Sequence, residues 1–203
     1  MNKFYKWIKR LFGGLFKLIY RVKIVNPQNE PLDKPYILCC NHTSLMDVTV
    51  ISLSMQRQIH YMAKKEVFKV PILSSFARAM GAFPVDRKNG DVGAVKKTIE
   101  MLKMGECVGV FPQGTRQPYV PLREATIKNG VGMFSDRSGV GLLPVCIKTK
   151  KNKLKLFRRT ELIIGEYISC EELEFSELSG REKYSKIAEY GFSKIIELYE
   201  GEQ

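Results

Sequence analysis

The first 23 residues of this chain contain no aspartate or glutamate. Histidine is scarce throughout, with only His42 and His60. The five cysteines form no C-x-x-C pair and no cluster with histidine, so a zinc site has no support and no metal is expected. Their odd number, and their place in apolar strand-like runs, point to reduced thiols facing a cytosol rather than to a disulfide framework. Within the opening segment the longest uncharged run, residues 11–16, is far short of the ~20 apolar residues that span a bilayer. No small-residue cleavage site follows it, so the segment reads neither as a spanning helix nor as a secretory signal. Internal repeats and low-complexity tracts are also missing, which sets aside solenoid and linker architectures.

What is present suits one core. A chain of 203 residues with 44% hydrophobic content can bury a single sizeable interior, so one domain with a short appendage is expected. The net charge of +12 calls for an anionic partner. Nucleic acid, acidic lipid headgroups, a phosphorylated substrate and an acidic carrier protein all qualify.

The appendage is residues 1–23. Trp7, Ile8, Leu11, Phe12 and Leu15 recur at helical spacing with lysines and arginines beside them, the pattern of a helix lying in a membrane interface. A helix packed on the domain's own core would show the same apolar stripe. Gly13-Gly14 is expected to divide the segment into a pair of short amphipathic helices.

Residues 24–203 form the main domain. Strand-like runs at 22–25, 36–40, 59–63, 81–86, 107–111, 141–147 and 160–164 alternate with helix-like runs at 44–56, 64–80, 91–104, 128–138 and 181–199. This order predicts an α/β fold, a mostly parallel central sheet flanked by helices. Residues 148–159 carry Lys148, Lys150, Lys151, Lys153, Lys155, Arg158 and Arg159, and their alternation suits a strand with one wet face. His60, without an acid near it in sequence, reads as structural.

Chemistry is expected where strands give way to loops, because open α/β sheets place ligands at the carboxyl ends of their strands. The first such loop is Asn41-His42-Thr43-Ser44-Leu45-Met46-Asp47. His42 and Asp47 can meet only if the histidine sits in the turn before the helix and the aspartate in its first turn. Asp47 would then hold one ring nitrogen and leave the other basic near neutral pH. The same residues also fit a capping box, Ser44 capping the helix and Asp47 reaching back. Two further loops supply Arg87 and Arg116, the Thr115 hydroxyl and the flexible Gly114, a set suited to a phosphate.

In order, these motifs resemble those of the glycerolipid acyltransferases, and among them the 1-acyl-glycerol-3-phosphate acyltransferases. Asn41, His42 and Asp47 match the N-H-x-x-x-x-D motif. Gly81, Phe83, Asp86 and Arg87 match the second. Phe111-Pro112-Gln113-Gly114-Thr115-Arg116-Gln117 stands where the family usually has F-P-E-G-T-R-S, and Leu143-Pro144-Val145-Cys146-Ile147 matches the apolar fourth. Ala63-Lys64-Lys65-Glu66 and Lys128-Asn129-Gly130 are similar to its intervening segments. The departures are Gln113 for glutamate and Gln117 for serine; Gln113 keeps the shape and loses the charge.

The resemblance implies acyl transfer from a thioester, acyl-ACP or acyl-CoA as co-substrate, to the sn-2 hydroxyl of 1-acyl-glycerol-3-phosphate, with no cofactor. It implies His42 as general base and Asp47 as its orienter. Asn41, Arg87, Gly114, Thr115 and Arg116 would bind the acceptor, supported by Gln113 and Lys64. The expected setting is the cytoplasmic face of the cell membrane, on anionic lipid; residues 148–159 could receive an acidic acyl carrier protein as a further partner, and could equally face lipid or only water. Another lysophospholipid or glycerol 3-phosphate would be an alternative acceptor. A non-catalytic basic module for membrane or nucleic acid is the alternative of another class, although no nucleic-acid reading motif accompanies the bases.

Overall fold

The computed structural model describes residues 3–86 and 91–201. Seven strands form one sheet: β1 (Val22–Val25), β2 (Ile37–Cys40), β3 (Ile59–Lys64), β4 (Ala82–Val85), β5 (Cys107–Val110), β6 (Leu142–Thr149) and β7 (Thr160–Ile164). Their order is β1-β7-β6-β2-β5-β3-β4. The strands β2 to β6 run parallel, β7 is antiparallel to β6, and β1 is parallel to β7. The expected α/β class and mostly parallel sheet are thus observed.

The centre of the sheet is β2. Its Ile-Leu-Cys-Cys sequence is fully buried, as a parallel strand covered on both faces requires. Ile37 and Cys39 face a core built with α4 (Val92–Lys103), α5 (Gly130–Ser138) and α6 (Gly180–Glu200). Leu38 and Cys40 face the opposite core, closed by Ile51 of α2 (Asp47–Ser54) and the adjoining Met55. Each fully buried aliphatic side chain of this kind contributes about 1.5–3 kcal/mol. Pro144 is tolerated in β6 because it sits at the end of the β6–β7 ladder, where its carbonyl accepts from the Gly165 N–H at 2.9 Å.

Two expectations need correction. Residues 3–19 form one helix, α1 (Lys3–Ile19), not a pair divided at Gly13-Gly14. The two glycines cost about 1 kcal/mol each in a helix, but packing along the inner face holds both halves. Tyr5 and Ile8 are buried against Leu53, Ala79 and Met80 near the end of α3 (Pro71–Ala79), and Phe16 packs toward Tyr20 and Val50. Tyr5 also donates its hydroxyl to the Ser52 carbonyl, and Lys9 reaches the Met55 carbonyl. Burial lowers the Lys9 pKa, so this base belongs to the inner face.

The second correction concerns residues 150–159, which form turns rather than a strand. Lys151, Asn152 and Phe157 have φ of 61°, 46° and 58°, outside the extended region.

The remaining histidine is structural. His60 Nδ1 lies 3.1 Å from the Gly81 carbonyl and Nε2 3.3 Å from Glu106.

Candidate active site

The strand β2 ends in Asn41, and that side chain continues the β2–β6 ladder. Its Nδ2 donates to the Ile147 carbonyl at 3.0 Å, and its Oδ1 accepts from the Ile147 N–H at 2.8 Å. Asn41 is fully buried. It is a clamp that fixes where the loop leaves the sheet, since both amide atoms are committed to the Ile147 backbone.

Next in the chain, His42 turns out of the strand and Asp47 opens α2. His42 Nδ1 and Asp47 Oδ2 are 2.9 Å apart. The same Oδ2 accepts from the Thr43 N–H at 2.6 Å and the Ser44 N–H at 2.7 Å, and the Thr43 hydroxyl lies 3.5 Å from Oδ1. A fully buried carboxylate needs such compensation. With Nδ1–H donating to Asp47, Nε2 carries the free lone pair, and 16% of the His42 side chain remains exposed.

The capping box is half realised. Asp47 reaches back to the Ser44 amide, but the Ser44 hydroxyl accepts from the Met46 N–H at 3.2 Å, and the helix begins at Asp47 rather than Ser44. Three amide and imidazole donors already converge on the carboxylate, which pulls residues 42–46 into a turn around it.

The adjacent strand β5 brings the second loop alongside. Phe111 stacks on the His42 ring at 4.0 Å between centroids and 18° between planes, and Tyr61 stacks beneath Phe111 at 6.2 Å. Gly109 makes this column possible: a Cβ there would lie 2.2 Å from Tyr61 Cε1. Backbone bonds tie the loops together, with the Gln117 N–H donating to the His42 carbonyl at 2.9 Å. Gln113 is 1% exposed and accepts from the His42 N–H through Oε1, while its Nε2 is buried with no partner among the described residues. Gln117 braces the loop through both amide atoms to Thr126.

Beyond Gln113 the loop opens outward. Gly114 turns with φ of 70°, and Thr115 and Arg116 are exposed beside the His42 segment. The Lys128 side chain lies over Gly114, where a Cβ would come within 3.0 Å of Lys128 Cδ.

At the end of β4 the chain reaches Asp86, which pairs with Lys65 and donates its N–H to Asp91 Oδ2 at 3.0 Å. The predicted Arg87 lies outside the described residues. Lys64 ends β3 at the same sheet edge and is exposed. With strands about 4.8 Å apart, the β4 edge stands about 14 Å from β2, so groups there must reach back across β3 and β5.

Sequence reasoning missed three contributors. Phe111 was read as a motif position, not as the His42 platform. Gly109 carried no signal, because only the neighbouring strand shows the ring it accommodates. Lys128 stood in a quoted segment, but its approach to Gly114 depends on the bond from its N–H to the Pro112 carbonyl at 2.8 Å.

A family profile described as Acyltransferase matches residues 21–148. The chain belongs to the acyltransferase family.

The match runs from β1 through most of β6 and contains both loops of the candidate site. The acyltransferase is 32% identical over 197 residues to the 1-acyl-sn-glycerol-3-phosphate acyltransferase of Bacillus subtilis, covering 96% of each chain. It is 27% identical to the Saccharomyces cerevisiae protein of the same name, over 94% of this chain and 69% of that one. Among solved structures it resembles the 1-acyl-sn-glycerophosphate acyltransferase PlsC of Thermotoga maritima. The TM-score is 0.72 at 25% identity, covering 97% of this chain and 79% of that one. The motif resemblance is therefore upheld, and the acyltransferase is an enzyme rather than a non-catalytic binding module.

Proposed function

We propose that this acyltransferase moves a fatty acyl group from a thioester to the sn-2 hydroxyl of 1-acyl-glycerol-3-phosphate, yielding phosphatidic acid. The observation that carries the reading is the 2.9 Å bond between His42 Nδ1 and Asp47, which leaves Nε2 free on a partly exposed ring at the carboxyl edge of the sheet. The acceptor follows the names of the relatives.

In the reaction, His42 Nε2 takes the proton of the acceptor hydroxyl as its oxygen bonds to the thioester carbonyl carbon. The tetrahedral adduct collapses with cleavage of the carbon–sulfur bond, and the imidazolium returns its proton to the leaving thiolate. Asp47 keeps Nδ1 protonated and the ring aimed, which supports general-base catalysis worth about 100- to 10,000-fold. No acyl-enzyme is needed. Thr115 and Arg116, with Arg87 and Lys128, would receive the acceptor phosphate at the Gly114 turn, whose own N–H donates to the Phe111 carbonyl at 2.9 Å, while Gln113 holds the His42 backbone in place. Lys64 would add positive charge at the edge.

The thioester is carried by acyl carrier protein or coenzyme A, and no cofactor takes part. The enzyme would work on the cytoplasmic face of the membrane, with the segment 1–23, which contains α1, as its interface element and residues 24–203 as the catalytic unit. Trp7, Leu11, Leu15 and Leu18 are exposed in a row along α1 while its other face packs inward. Among the described residues no helix is long and apolar enough to cross a bilayer.

The deciding experiment gives purified protein lysophosphatidic acid, other lysophospholipids and glycerol 3-phosphate, each with both thioesters, and identifies products by mass. Phosphatidic acid formed by wild type and lost in His42→Ala is expected. Full turnover in His42→Ala would sink the mechanism, and preference for another acceptor would replace the substrate.

A further inference from the structure

Acyl transfer as proposed leaves one strongly charged feature unused. Lys150, Lys151, Lys153, Lys155 and Arg158, with Tyr119, line a cleft of about 200 Å³ just beyond the end of β6. None of the five cations forms an ion pair with a described carboxylate. Gathering like charges around one cleft opposes folding, and an anion seated among them relieves the repulsion.

The cluster is built rather than frayed. Asn152 and Leu154 are buried beneath it. Asn152 Nδ2 donates to the Val120 carbonyl at 2.8 Å, the Tyr119 N–H faces the Asn152 carbonyl at 3.4 Å, and Lys153 Nζ sits 4.6 Å from the centre of the Tyr119 ring. These bonds hold positive-φ turns at Tyr119, Lys151 and Asn152 in place.

Its neighbours choose the partner. On the same loop Leu156 and Phe157 are 56% and 69% exposed. The Phe157 N–H donates to the Ile19 carbonyl at 2.7 Å, which places both side chains beside the C-terminal end of α1 and its exposed apolar row. An acidic protein would answer the lysines but not two bare apolar side chains continuous with an amphipathic helix. A bilayer with anionic headgroups answers both.

We propose that residues 150–158 form an anionic-lipid docking site, in which the cleft seats a headgroup phosphate while Leu156 and Phe157 enter the interface beside α1. This rests on the membrane-associated acyltransferase reading above. The consequence is orientation. The loop leaves the sheet two residues after Ile147, the partner of Asn41, and the segment that carries Tyr119 begins at Gln117, bonded to His42. The phosphate plane would therefore lie along the edge that carries His42, and that edge would face the surface from which a lysophospholipid is drawn.

The test is sedimentation of the full chain with vesicles of phosphatidylcholine, with and without phosphatidylglycerol. The variants are Lys151→Gln/Lys155→Gln, Leu156→Ser/Phe157→Ser and, on α1, Leu11→Ser/Leu15→Ser, each checked for an unchanged melting temperature. The lysine pair should lose roughly thirtyfold in affinity for anionic vesicles, at about fivefold per lysine near such a surface, and little for neutral ones. The loop apolar pair should weaken both. Wild-type binding by both loop variants, with the α1 variant impaired, overturns the docking site alone. Wild-type binding by all three overturns the membrane reading as well. A raised KM for acyl-ACP with unchanged vesicle binding would assign the loop to the carrier protein and refute the lipid site.

Discussion

Asp47 Oδ2 holds His42 Nδ1 at 2.9 Å while accepting from the Thr43 and Ser44 amides at 2.6 and 2.7 Å. One oxygen thus orients the imidazole and shapes the loop that carries it. The two roles separate under mutation. His42→Ala should lower kcat by about 100- to 10,000-fold with little change in melting temperature, because the ring is partly exposed. Asp47→Ala should lose activity and also about 2–4 kcal/mol of stability, since it strands buried donors. Activity assays paired with denaturant unfolding check this; equal stability of the two variants would separate Asp47 from loop architecture.

The amide of Gln113 is expected to act through its oxygen. Gln113→Glu keeps an acceptor for the His42 N–H and should retain turnover within about threefold. Gln113→Leu removes that acceptor and should cost tenfold or more in kcat, with KM for the thioester little altered. Steady-state kinetics on the two variants decide, and equal losses in both would show that the clamp is not the function of this side chain.

The column of His42, Phe111 and Tyr61 stands on Gly109. A methyl group there collides with the Tyr61 ring, and overpacking of this kind costs about 1–3 kcal/mol. Gly109→Ala should therefore lower both melting temperature and kcat. Trimming the ring in Gly109→Ala/Tyr61→Leu should restore part of the loss, a coupling that a double-mutant cycle measures. Additive effects would place the damage elsewhere.

Stability should fall in alkali for an identifiable reason. Burial raises the Cys107 thiol to about 11 from an ordinary value near 9. Below pH 9 the thiol is neutral in folded and unfolded chains alike. Between about 9 and 11 this thiol ionises only in the unfolded chain, so the Cys107 contribution alone lowers stability by about 3 kcal/mol across that window and adds nothing further above it. Cys107→Ala should flatten this part of the pH profile relative to wild type. Cys39, Cys40 and Cys146 are pushed up by burial in the same direction, and alkylation of the native protein at neutral pH should leave turnover intact.

Much of the fold was legible because it depends on local periodicity. The strand at 160–164 and the buried runs of β2 and β6 stand within two residues of their expected bounds, since continuous apolar runs bounded by turn residues suit strands covered on both faces. Residues 150–159 misled, because alternation of lysine and leucine resembles a half-buried strand, whereas tertiary bonds to Val120 and Ile19 fold the stretch into turns. The Gly13-Gly14 break was misread for a similar reason: helix propensity is a weak force beside the packing of Tyr5, Ile8 and Phe16.

By itself the sequence determined the α/β class, the family, and the pairing of His42 with Asp47, because each rests on residue types at short spacing along one chain. Only the tertiary structure decided which groups surround that pair. Asn41 became a clamp because Ile147 lies across the ladder, Gln113 became the acceptor for the His42 amide because β5 lies beside β2, and Gly109 mattered because Tyr61 crosses it from β3. Contacts between residues far apart in sequence follow from strand order, and strand order is set by how whole crossovers pack rather than by any local pattern.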